Sequence, residues 1–237
     1  MIEICARAHN LDEIETILEQ GFKTLEITLP SPGGIEEENS WGELADQRNL
    51  TLIGHGPNEG NPRDLTSLEN TCLPKLRQAL EAAKRLNVAL LTIHFNVDTR
   101  WIPPETIQGK IDFLAQITQW GAEFGVQVNL ENLSEGSADL EKALRMVPDL
   151  GLTLDVGHAM LTHRTSTAPD IITQLFDRIS HLHLHDNHGG KSYRNDEHLI
   201  PGELKERGYK KTATLELAPH EMALGQERIA AFWRSSP

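Results

Sequence analysis

Cysteine is nearly absent from this 237-residue chain: Cys5 and Cys72 stand far apart and in no ligand-like spacing. A disulfide framework is therefore not expected, and the composition fits a reducing cytoplasm, the expected location. Long apolar runs are also missing. None approaches the ~18–20 residues that a membrane span needs, so no membrane partner is expected. The opening MIEICARAHN has no basic stretch followed by a long apolar core, which argues against a secretory signal. Basic residues are few, 22 Lys and Arg against 35 Asp and Glu, for a net charge of −13. Phosphate-backbone binding draws its free energy from Lys and Arg displacing counterions, so nucleic acid is disfavoured as a partner. Acidic residues gathered around metal ions would be partly neutralised.

No linker or low-complexity stretch divides the chain, and residues 1–237 read as a single domain, long for an average one but normal for an α/β barrel. Eight β-like runs recur: Ile2–Ala6, Thr24–Leu29, Leu50–His55, Ala89–Phe95, Val126–Asn132, Gly151–Val156, Ser180–His185 and Thr212–Leu217. Segments with apolar residues at helical spacing lie between most of them. Asn10 suits a cap for Leu11–Gln20, Pro103-Pro104 a helix start, and Gly21 and Gly125 helix ends. The alternation predicts a parallel sheet covered by helices; closed on itself it is a (β/α)8 barrel. A doubly wound open sheet is the alternative, but GxGxxG is absent.

What is abundant is histidine, 11 residues, four of them within His181–His188. Side chains alternate faces along a strand. Gln127, Asn129 and Glu131 therefore share one face, as do Thr153 and Asp155, His181, His183 and His185, and Thr212, Thr214 and Glu216. The opposite faces are apolar. Carboxylates and imidazoles aimed into one interior are costly unless paired or bound to a cation. Taken singly, His55 or His94 reads as structural, and Glu131 or Glu216 as an inward charge paired with a lysine. Taken together at the C-terminal ends of five strands, they predict a site for a divalent metal at the barrel mouth. Asp155 and His158, from a strand tip and the turn after it, can converge. Trp41 and Trp101 are candidates to line the mouth.

The ordered set VNLENL (128–133), LTLDVGHAML (152–161), HLHLHDN (181–187), DEHLIPG (196–202) and TLEL (214–217) resembles the xylose-isomerase-like barrels. These include sugar phosphate isomerases and epimerases, and apurinic endonucleases of the endonuclease IV type. Before residue 50 the likeness is general, carried by the G-F-K-T-L-E-I pattern that holds Glu26. The resemblance implies a shared metal quartet of Glu131, Asp155, His183 and Glu216. The endonuclease type implies further ligands at His55, His94, His158, Asp196 and His198, for up to three ions. His181 then becomes an inner-layer group, His185 stays open between ligand and lining residue, and His188 a loop residue. Only 14 residues run from Leu199 to Thr212, which implies a shortened seventh helix.

Two chemistries follow from the resemblance. In the first, Glu131 and Glu216 move a proton beside a metal-bound carbonyl of a small carbohydrate-like substrate, with His158, His94 and His55 binding it; the chain is then an isomerase or epimerase. The alternative is a zinc-dependent phosphodiesterase or apurinic endonuclease. The small count of basic loop residues favours the first. Zinc or manganese is the expected ion, with cobalt or iron also matching a mixed His and carboxylate set.

Overall fold

Each barrel strand must satisfy two surroundings at once, helices outside and a narrow interior inside, and the alternating patterns do this. The computed structural model describes residues 2–161, 167–185 and 199–234. Its strands are β1 (Glu3–Ala8), β2 (Thr24–Thr28), β3 (Thr51–His55), β4 (Leu90–His94), β5 (Gln127–Glu131), β6 (Gly151–Asp155), β7 (Ile179–Leu184) and β8 (Thr212–Leu215). Each pairs in parallel with the next, and β8 closes on β1. The expected (β/α)8 barrel is thus the observed fold.

A helix follows every strand: α1 (Ile14–Glu19), α2 (Gly34–Arg48), α3 (Leu73–Arg85), α4 (Pro104–Phe124), α5 (Ser137–Met146), α6 (Ala168–Leu175), α7 (Leu199–Glu206) and α8 (Met222–Arg234). Asn10 caps the start of the first helical segment by accepting from the backbone N–H groups of Asp12 and Glu13. Gly125 ends α4 at φ 76°, a left-handed conformation that costs glycine little. The seventh helix is short as expected, 8 residues against 21 in α4. No helix among the described residues is long and apolar enough to cross a membrane.

The core lies between sheet and helices. Leu25, Ile27, Leu91, Ile93, Leu130, Leu152, Leu154, Leu182, Leu184 and Leu215 on the outer face are fully buried. Each such side chain contributes roughly 1.5–3 kcal/mol. Trp41 joins this core rather than the mouth, whereas Trp101 is exposed in the loop after β4.

Two strand limits matter for the site. β1 runs past Ala6 to Ala8, which brings Arg7 into register with Glu26 on the inner wall. β8 stops at Leu215, one residue before Glu216, yet the Glu216 N–H still donates to the Leu184 carbonyl at 3.1 Å, so the side chain keeps the strand's alternation.

Candidate metal centre

The interior rises in layers toward the C-terminal mouth. Neutral groups line one wall: Thr92 and Thr153 hydroxyls lie 2.9 Å apart, with the Asn129 amide donating to Thr153 at 3.1 Å. On β2, Glu26 is fully buried. Its Oε2 accepts from the Thr214 hydroxyl at 2.6 Å and lies 3.1 Å from His181 Nε2. Both Glu26 oxygens reach His183 Nε2, at 3.1 and 3.2 Å. Since a carboxylate accepts, His183 donates from Nε2 to Glu26, and its Nδ1 turns upward toward the carboxylates of the next layer.

The top layer gathers around Glu131. Its Oε2 lies 3.0 Å from His94 Nε2, 3.5 Å from His55 Nε2 and 3.2 Å from His183 Nδ1, and its Oε1 lies 3.2 Å from His158 Nδ1. His55 donates from Nδ1 to the Gly56 carbonyl at 3.0 Å, which directs Nε2 toward Glu131. His94 Nδ1 is held by Asn58 Oδ1 at 2.9 Å. Asp155 accepts from the His158 backbone N–H at 2.6 Å, and both its oxygens lie 3.0 Å from His185 Nε2. Glu216 Oε1 approaches His183 Nδ1 to 3.5 Å.

The residues fit a divalent cation. His183 Nδ1 is buried and makes no hydrogen bond, although Glu131, Glu216 and Asp155 oxygens stand 3.2, 3.5 and 3.9 Å from it. Several carboxylate oxygens converging on a buried imidazole nitrogen that makes no hydrogen bond is an arrangement that an ion resolves. Among the described residues, the ion-pair partners of Glu26, Glu131, Asp155 and Glu216 are imidazoles, so the lysine-paired alternative for Glu131 and Glu216 does not arise. Overlapping groups of potential ligands are Glu131, Asp155 and His183; His55, His94 and Glu131; Asp155, His158 and His185; and Glu26, His55, His183 and Glu216. Thus seven of the expected residues meet at one mouth (Glu131, Asp155, His183, Glu216, His55, His94 and His158), whereas Asp196 and His198 lie outside the described residues.

Charge in the cluster is strongly correlated. Burial raises the Glu131 pKa, but His183, His158 and His55 outweigh it and hold the carboxyl well below the usual range. Burial lowers the His158 pKa, but the Glu131 hydrogen bond and the Asp155 charge bring it from 6.5 up to about 9. A histidine whose pKa is higher folded than unfolded gives its full stabilisation below pH 6.5 and loses it as pH rises through about 9. The melting temperature of chelator-treated protein should therefore fall across that window. His158→Gln should flatten the fall; a parallel fall in both proteins counts against this role.

Sequence reasoning left His185 open and gave Glu26 no role in the site. The signal for His185 was in the DVGH turn. A Cβ on Gly157 would sit 2.1 Å from the His185 ring, so only glycine leaves room for that imidazole against Asp155. Gly157→Ala should cost about 1–3 kcal/mol by overpacking and push His185 away. Adding His185→Ala should recover most of that loss in thermal melts, since the ring is what clashes; strictly additive losses would contradict this packing.

A second missed feature braces the mouth. Fully buried Lys110 on α4 bonds Glu59, whose other oxygen accepts from the Asn96 N–H at 2.7 Å. Glu135 accepts from the N–H groups of Val97, Leu133 and Ser134. These carboxylates tie the loops after β3, β4 and β5 together and carry Asn58 to His94.

An eight-stranded parallel barrel with carboxylates and imidazoles clustered at the C-terminal mouth defines a class of barrel proteins with a candidate metal centre. The chain belongs to the xylose isomerase-like TIM barrel family, whose model matches residues 14–230. Over 230 residues it is 26% identical to the uncharacterized protein MJ1311 of Methanocaldococcus jannaschii, covering 86% of this chain and 77% of that protein. Among solved structures, it resembles a D-tagatose 3-epimerase-like protein (20% identity, TM-score 0.79, 98% of this chain and 97% of that one). It is similar to the TTHB071 protein from Thermus thermophilus soaked with ZnCl2 (19%, TM-score 0.78, 98% of both chains). It also resembles D-psicose 3-epimerase from Clostridium cellulolyticum with D-tagatose (16%, TM-score 0.71, 97% and 96%).

Proposed function

We propose that this chain is a metal-dependent sugar isomerase or epimerase, moving a proton on the carbon beside a carbonyl of a small carbohydrate-like substrate. The observation that carries this reading is that Glu131 from β5 and Glu216 from the end of β8 both turn toward the unbonded His183 Nδ1. The sugar epimerases among structures of the same fold support it. Glu131, Asp155, His183 and Glu216 would hold the cation, zinc or manganese before cobalt or iron. When bound, it supplies Lewis acidity toward the substrate carbonyl and an adjacent hydroxyl.

The chain's own groups then move the proton. One of Glu131 and Glu216 accepts it as the C–H bond breaks, and the other returns it. Return to the opposite face of the same carbon is epimerisation; return to the neighbouring carbon is isomerisation. His158 holds a substrate oxygen, with His94 and His55 lining the site.

One observation favours a hydrolytic second reading. His55, His94 and Glu131 form a ligand group of their own, as a site for more than one ion requires. The deciding test combines metal analysis of the purified protein with two assays: hydrogen exchange between solvent and a panel of ketoses, and cleavage of an abasic-site duplex. Metal-dependent exchange without cleavage is expected. Efficient cleavage without exchange would reverse the assignment.

A further inference from the structure

Arg7 lies on the inner wall of β1, paired in register with Glu26, and is only 6% exposed. Its guanidinium donates from Nη1 to the Glu26 backbone carbonyl at 3.1 Å and from Nη2 to the Thr28 hydroxyl at 2.9 Å. Thr28 is itself in register with His55, so the guanidinium stands at the level of the upper cluster. Both partners are neutral. The nearby carboxylates are engaged elsewhere: Glu26 faces His181 and His183, Glu131 faces four histidines, Asp155 faces His158 and His185, and Glu216 faces His183. Among the described residues, Arg7 has no carboxylate partner.

A guanidinium stays charged throughout the accessible pH range. Burying it beside neutral oxygens alone is costly. Its planar fork matches an oxyanion better than any other group. The field also reaches the rim: burial and the Arg7 charge together lower the His9 pKa.

We propose that Arg7 is the anion-recognition group of the mouth, binding the carboxylate or phosphate ester of an acidic sugar. This rests on the sugar isomerase or epimerase reading and narrows its substrate class.

The test titrates the full chain, metal-loaded and metal-stripped, with D-fructose 6-phosphate, 2-keto-D-gluconate and D-fructose by calorimetry, alongside Arg7→Met and Arg7→Lys. The wild type should prefer at least one acidic probe over D-fructose, and which one distinguishes phosphate from carboxylate. Arg7→Met should weaken that probe by roughly tenfold to a hundredfold, the value of a charged hydrogen bond. It should leave D-fructose unchanged, with Arg7→Lys intermediate.

Equal or absent preference in the wild type overturns the proposal. So does equal weakening of all three probes by Arg7→Met, or acid binding that vanishes on metal stripping yet ignores Arg7. If Arg7→Met fails to fold in thermal melts, the wild-type preference and Arg7→Lys still decide. Acid binding that follows Arg7 without solvent exchange would sink the proposed reaction and keep the anion site. Exchange indifferent to Arg7 would do the reverse.

Discussion

Glu131→Gln should abolish solvent hydrogen exchange into the substrate and strip most of the bound metal. Glu131 lies within 3.5 Å of His55, His94, His158 and His183, so one substitution touches the whole cluster. The amide keeps the shape but loses the negative charge. It also presents a donor where imidazole nitrogens converge. Loss of a proton-transfer group alone costs about 10²–10⁴-fold in rate, and loss of a ligand adds to that. Metal content by elemental analysis and exchange rate under saturating metal separate the two contributions. A variant that keeps its metal and exchanges within a fewfold of wild type would remove Glu131 from both roles.

Glu26→Gln should weaken metal binding by about 10–100-fold, although Glu26 stands beneath the proposed quartet. Burial works against its ionisation, but His183 and His181 hold its pKa well below the usual range, so the group stays a carboxylate. That carboxylate keeps the His183 proton on Nε2 and leaves Nδ1 free to face Glu131 and Glu216. A neutral glutamine amide removes the charge that holds the proton on Nε2 and allows a donor to face that nitrogen, which weakens the presentation of Nδ1 to the cluster. Competition with a chelator measures the affinity. Long-range ¹H–¹⁵N spectra of zinc-loaded protein read which His183 nitrogen carries the proton, independently of activity. Unchanged affinity, or a wild-type His183 already protonated on Nδ1, would contradict this role.

The barrel was legible because strand alternation and helical spacing are local and repeated eight times. The strand ends were less so. The extension of β1 to Arg7 is decided by pairing with β2, and no local pattern in MIEICARAHN announces it. Trp41 shows the same limit: a tryptophan among the acidic residues of α2 reads as a candidate for the mouth or as loop packing, and only tertiary packing buries it in the core. Lys110 is more extreme. A lysine in an amphipathic helix reads as solvated, yet Glu59, 51 residues away, bonds it inside the protein.

For the site, the chain alone specified which residue types end which strands, and therefore which side chains share the interior. That follows from the two-residue period of a strand and needs no tertiary information. Tertiary structure decided what each of them faces. Glu26 meets His183 across 157 residues, His185 finds Asp155 because Gly157 leaves space, and Arg7 turns to neutral oxygens while every neighbouring carboxylate takes an imidazole. These outcomes depend on barrel closure and register, which set distances between segments that no local sequence pattern relates.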